Sequence, residues 1–350
     1  MSEYTNTSEY QSIGNPPAGS IRFNSDSSKM EIYNGEQWWD IDSTSPDQQT
    51  GGTRGVFGGG EQPTKTNVIQ FVNVDTNGDT VDFGDATQQL SEHTALSNRT
   101  RGLLCGAITG PQPTDYVNNI DFITISSKGN ASDFGDMVHT IGQRSACANS
   151  TRGIIAGGIY GSQQQLHVDY ITITQTGNAV DFGDLASRVN GHTSTGNSTR
   201  AIVAGGYESP ASAFTDRIQY FSISTLGDST DFGNLSAAKR YAAPIANAVR
   251  GVYAGGQNPS YLNTIDFITI STTGDAADFG DLTNATNFGN QAGAASPVRG
   301  LFAGGIVGPA RTDAMTFIQT MTTGNSQEFG DLLAANGNVA GMSNGHGGLG

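Results

Sequence analysis

Apolar residues in this chain fall in short runs, each bounded by polar residues and glycine, and the runs recur. Arg-Gly-Val-Phe-Gly-Gly at 54–59 returns in related form at 101–106, 152–157, 200–205, 250–255 and 299–304. The leading arginines, Arg54, Arg101, Arg152, Arg200, Arg250 and Arg299, are 47, 51, 48, 50 and 49 residues apart. A second marker keeps the same beat. Asp-Phe-Gly followed by Asp or Asn carries Phe83, Phe134, Phe182, Phe232 and Phe279, and Glu-Phe-Gly-Asp carries Phe329. A period of roughly 40–50 residues is the signature of propellers and solenoids.

One copy shows the elements. Gly191 to Gly196 is a run of small residues and predicts a short strand. Arg200 to Ala204 predicts a second strand, ending on Gly205-Gly206. Arg217-Ile-Gln-Tyr-Phe-Ser-Ile223 is rich in β-branched and aromatic residues and predicts a third. Gly227-Asp228 is tight-hairpin chemistry, because both residues tolerate positive φ. Ser229 to Phe232 predicts a fourth strand. Equivalent turns stand at Gly78-Asp79, Gly129-Asn130, Gly177-Asn178, Gly274-Asp275 and Gly324-Asn325. Four short strands per repeat, with no helical periodicity, predict an all-β fold in which each repeat is a propeller blade.

The order of the strands resembles the kelch repeat: a strand ending in Gly-Gly, two aromatic-bearing strands, then a small-residue inner strand opened by a histidine such as His192. The resemblance covers about 54–344, with phenylalanine where the kelch outer strand carries tryptophan. It implies a six-bladed β-propeller. The first repeat begins at its second strand, Arg54, whereas Val339 to Asn344 aligns with the inner strand Ala95 to Asn98. The C-terminal strand is therefore expected to close the first blade, protecting an otherwise open edge. A further blade drawn from residues 20–50 is the competing arrangement.

Residues 51–350 are assigned to the propeller, 1–18 to a polar extended arm, and 19–50 to a small β meander. Gly-Ser-Ile-Arg-Phe-Asn at 19–24, Met-Glu-Ile-Tyr at 30–33 and Trp38-Trp39-Asp40-Ile41 predict its three strands. This order of turns and aromatics resembles a β module of tailed-bacteriophage fibres and appendages. A meander of that size buries too little apolar area to stand alone. Ile21, Phe23, Tyr33, Trp38 and Trp39 are the candidate anchor residues.

Composition narrows the function. The 350 residues carry a net charge of -15 and no Lys/Arg run, against the basic footprint that nucleic acid requires. Glycine numbers 48 and charged residues are 14 %, which suits tight turns and short strands. No apolar run approaches membrane-spanning length, and the N-terminus is polar without a signal-peptide core, so cytoplasmic assembly is expected. Of the two cysteines, Cys105 stands where other copies have Ala or Gly and reads as a small buried filler.

Several signals resemble chemistry and read better as scaffold. Asp-Phe-Gly lacks the phosphate loop and catalytic loop of a kinase. The six arginines form either an anion-holding ring or a pairing between repeats with Asp or turn carbonyls, and the pairing is preferred. Asp75 to Asp79 lacks the remaining ligands of a calcium loop. The five histidines have no metal-ligand spacing, and no nucleophile motif occurs. No catalytic, cofactor-binding or metal residues are assigned. The loops after Gly-Gly do vary between copies and carry Tyr116, Tyr160, Tyr207 and Tyr261. The variation is read either as drift of unconstrained loops or as a binding surface, since binding residues concentrate on variable loops carried by a fixed frame.

The expected function is that of a non-enzymatic virion protein of a tailed phage, oligomeric within the particle. Its N-terminus would anchor to other virion proteins. Its loops would contact a neighbour or a protein or glycan of the host surface. The alternative is a free kelch-like protein- or glycan-binding module.

Overall fold

The computed structural model describes residues 16–24, 29–40, 52–110, 115–289 and 291–349. Most of the predicted arm, and the predicted meander end at Ile41, lie outside the described residues. The chain divides into two compact units, Met1–Gln48 and Gln49–Gly350. Both are built of antiparallel β-sheet, and no α-helix occurs among the described residues.

The first unit is a three-stranded sheet of its own, Ile21–Asn24, Lys29–Tyr33 and Trp38–Asp40. Ile21 pairs with Ile32 and Phe23 with Met30; on the other side Ile32 pairs with Trp39 and Tyr33 with Trp38.

The second unit contains six four-stranded antiparallel cores among its described residues. A representative core is Thr193–Gly196, Arg200–Ala204, Arg217–Ser222 and Thr230–Asn234, close to the predicted strands. The inner strands are Thr94–Ser97, Ser145–Ala148, Thr193–Gly196, Ala243–Ala246, Gly293–Ala295 and Ala340–Ser343. Each touches the next in that order, and Ala340–Ser343 touches Thr94–Ser97, so the contacts run in a closed cycle. Ala340–Ser343 also pairs with Arg54–Gly58, as the C-terminal strand was expected to do. Asn344 accepts the Arg54 amide, as Asn98, Asn149, Asn197 and Asn247 accept the amides of Arg101, Arg152, Arg200 and Arg250.

The repeated words hold neighbouring cores together. In every core the phenylalanine of Asp-Phe-Gly, or of Glu-Phe-Gly in the last, is the extra residue of a β-bulge: Gln219 pairs with Asp231 and Ile218 with Gly233, leaving Phe232 between them. A bulge bends its strand and frees the bulged backbone from the ladder. The freed Phe carbonyl accepts the amide of the hairpin glycine in the next repeat, at 2.7–3.0 Å in all six cases. The Asn or Asp after that glycine accepts the amide of the residue following Asp-Phe-Gly, at 2.9–3.1 Å. The sixth of these, Asp79 on Asp331, joins the last repeat to the first. Only glycine fits at the close approach: a Cβ on Gly183 would lie 2.4 Å from the Gly227 oxygen.

Each bulged phenylalanine packs edge-on against an aromatic ring of the third strand, such as Tyr220 on Phe232 at 6.0 Å. The repeated arginine also stacks on that ring, with its guanidinium carbon 4.4–5.2 Å from the centroid. Its Nη1 then donates across to the following repeat. Five reach backbone carbonyls, those of Ile125, Ile173, Ile223, Ile270 and Thr320, and Arg299 reaches Asn77 Oδ1. The arginines therefore bind between repeats, on carbonyl and amide oxygens and not on the repeated Asp.

Candidate functional site

The cycle of inner strands has two unlike ends. At the C-terminal ends of the strands lies the chain's own tail. His346 Nε2 sits 2.6 Å from the Ser97 carbonyl oxygen, and Arg99 donates to the Leu349 carbonyl at 2.8 Å. Gly347 and Gly348 lie against the backbone of Asn247, Gly196 and Ala148. Between the ends is a small cavity with walls from all six inner strands, mostly small residues such as Ala95, Ala148, Ala246 and Ala294. Gln291 reaches across the cycle, accepting from Thr94 Oγ1 and the Ala146 amide and donating to the Ser194 carbonyl.

The other end carries the variable loops. Each second strand runs antiparallel to its inner strand, so the loops after Gly-Gly emerge where the chain enters the inner strands. Bridges mark the meeting: Ser91 with Ile108, Gly142 with Ile159, Asn190 with Tyr207, and Arg240 with Gln257. The residue that turns the chain into each inner strand is left-handed: Glu92, Gln143, Gly191, Tyr241, Gly289 and Asn338, with φ between +52° and +72°. Glycine adopts this conformation freely, whereas for other residues it is uncommon and collects at functional sites.

Three of the non-glycine residues meet. Gln143 Nε2 donates to Glu92 Oε2 at 2.8 Å. Gln143 Oε1 accepts from Asn190 Nδ2 at 2.6 Å and from the Tyr241 hydroxyl at 3.2 Å. Tyr116 lies alongside, its ring edge against Gly142. Burial pushes the Glu92 carboxyl above the usual carboxylate range, opposed by the Gln143 hydrogen bond. Burial also raises the Tyr116 and Tyr241 phenols, and the Glu92 charge adds to both. Glu92, Gln143 and Tyr241 are half-buried, whereas Tyr116 and Asn190 are 7 % and 4 % exposed. Among the described residues, Tyr116 Oη and Asn190 Oδ1 have no hydrogen-bond partner.

The four loop tyrosines are not one group. Tyr116 opens a strand and is buried, but its ring lies 6.1 Å from that of Tyr160, which is 58 % exposed. Tyr207 packs on Phe214, with the Arg240 guanidinium near both rings, and its hydroxyl donates to the Ser212 carbonyl. Tyr261 is half-buried and belongs to neither group. Sequence reading missed Glu92, Gln143, Asn190 and Tyr241. The available signal was three bulky residues at the repeat position that holds Gly191 in another copy.

The second candidate surface is the N-terminal sheet. Side chains alternate across it, so Ile21, Phe23, Met30, Ile32 and Trp39 share one face. All five are exposed, at 57 %, 62 %, 44 %, 38 % and 55 %. On the opposite face Arg22 pairs with Glu31 at 2.7 Å and stacks on Trp38, whose ring lies 5.2 Å from Tyr33. Ile21, Phe23 and Trp39 thus belong to the apolar face, whereas Tyr33 is buried and Trp38 half-buried on the other. Met30 and Ile32 complete the apolar set.

No family model and no curated protein matches the chain.

Proposed function

We propose that the six four-stranded cores are the blades of a kelch-like β-propeller and that the chain is a non-enzymatic structural protein of a tailed-phage virion. The closed cycle of inner-strand contacts and the Asp79–Asp331 link between last and first repeats support six blades. The N-terminal unit anchors the protein to other virion proteins, in an oligomeric particle assembled in the host cytoplasm. The propeller's loop end faces a neighbouring subunit or the host surface.

The observation that carries this reading is the N-terminal sheet. Three short strands expose five large apolar side chains on one face. A sheet this small holds no core of its own, and a contiguous exposed apolar face marks an interaction site. The resemblance of this segment to phage appendage modules supplies the kind of partner. Deleting residues 1–50 tests it: the remaining chain should stay folded by circular dichroism yet be missing from purified particles. Normal incorporation of the truncated chain would overturn the anchoring role.

A second reading, a free protein- or glycan-binding module, draws on the polar cluster of Glu92, Gln143, Asn190 and Tyr241. Full activity of the isolated chain on a ligand, with no particle containing it, would favour that reading.

A further inference from the structure

We propose that the polar cluster at the loop end is a binding site for a neutral saccharide. This deepens the reading of that end as the outward surface and rests on it. The half-buried layer of Glu92, Gln143 and Tyr241 offers a carboxylate, an amide and a phenol around a single hub, Gln143. Beneath and beside it are two buried polar atoms without partners among the described residues, Tyr116 Oη and Asn190 Oδ1. Buried polar groups are nearly always satisfied, so two in one cluster point to a ligand or water that supplies the bonds. The adjoining Tyr160 ring is exposed, a flat apolar surface beside the polar groups.

The chemistry of the cluster selects the class. It mixes donors and acceptors, as the hydroxyls of a sugar do, each of which both donates and accepts. An anion would need an uncommitted cation. The nearby guanidiniums are held by other groups, Arg311 by Glu61, Arg217 by Glu208, Arg188 by the Gln164 carbonyl and Arg240 by Gln257 and the Tyr241 ring, although the Nε atoms of Arg240 and Arg311 keep no partner among the described residues; Lys65 donates to the Gly110 carbonyl. The Glu92 carboxylate further disfavours an acidic ligand. The left-handed backbone at Glu92, Gln143 and Tyr241 fixes where these side chains start, which limits the ordering cost of binding.

The test is a titration of the full-length chain with methyl α- and β-pyranosides of glucose, galactose and mannose and with their disaccharides, followed by saturation-transfer NMR. At least one should bind saturably. Tyr116→Phe, which removes one hydroxyl, should weaken it by about tenfold, and Gln143→Ala should abolish detectable transfer. Tyr160→Ala should weaken binding without changing the melting temperature. No transfer to any of these sugars, or transfer unchanged in Gln143→Ala, would overturn the proposal. So would preferential binding of an uronic acid or of an unglycosylated peptide. Particle incorporation of Gln143→Ala separates the outcomes, since the anchoring role predicts it to be normal whether or not sugar binds.

Discussion

His93 and His192 each stand one step before an inner strand and point back into the preceding repeat. His192 Nε2 lies 3.0 Å from the Ala156 carbonyl oxygen, and both rings are buried. Desolvation holds each imidazole well below its ordinary value of 6.5, at about 4. The unfolded chain therefore binds more protons than the folded one between pH 6.5 and about 4. Stability should be level above pH 6.5 and fall as pH drops through that window, by up to about 1.4 kcal/mol per pH unit for each histidine. Urea unfolding of the wild type and of His192→Gln at pH 7, 6, 5 and 4.5 checks this. The variant should show a shallower acid slope, and equal slopes would refute the assignment. At this scale the sequence showed which residues repeat but not what they touch. The six arginines had two plausible partners by sequence, and only the register between repeats decides for the carbonyls. The buried pairs Arg144–Asp169 and Lys239–Asp266 were hidden for the same reason: their members are 25 and 27 residues apart, and nothing local marks those Asp as buried.

Strands and hairpins were the legible part of the fold, because β-branched runs and Gly-Asn or Gly-Asp turns act through neighbouring residues. The bulge at each Asp-Phe-Gly was not legible, since a bulge exists only relative to a partner strand. It explains the motif: the bulge turns the Phe ring inward and its carbonyl toward the next repeat. The alignment of Val339 to Asn344 with an inner strand was also legible, and the pairing of Ala340–Ser343 with Arg54–Gly58 follows it. Removing that strand leaves Arg54–Gly58 as an open edge, a template for unwanted pairing. Deletion of 339–350 should therefore cause aggregation in size-exclusion chromatography or loss of a cooperative melt. A monomeric, cooperatively melting truncation would show that the C-terminal strand is dispensable.

At the scale of the molecule, the repeats and the N-terminal unit divide the work. Most side chains that recur in every copy serve contacts between repeats. What departs from the pattern is gathered at the loop end and in the first unit. Tyr116 and Tyr160 were legible as loop aromatics, but the cluster beside them was not. Glu92, Gln143, Asn190 and Tyr241 come from segments about fifty residues apart, and only the cycle of inner strands brings them together. In the first unit the strands and aromatics were legible, while the split of Tyr33 and Trp38 from the apolar face needed the register. We propose that this face attaches the chain to a particle. The most direct test is the particle content of the Phe23→Asp/Trp39→Asp double variant, measured by quantitative mass spectrometry of purified virions. Attachment through this face predicts a fall of at least about tenfold relative to wild type, the equivalent of about 1.4 kcal/mol of attachment, with the melting of residues 51–350 unchanged. Wild-type particle content in the double variant would contradict it.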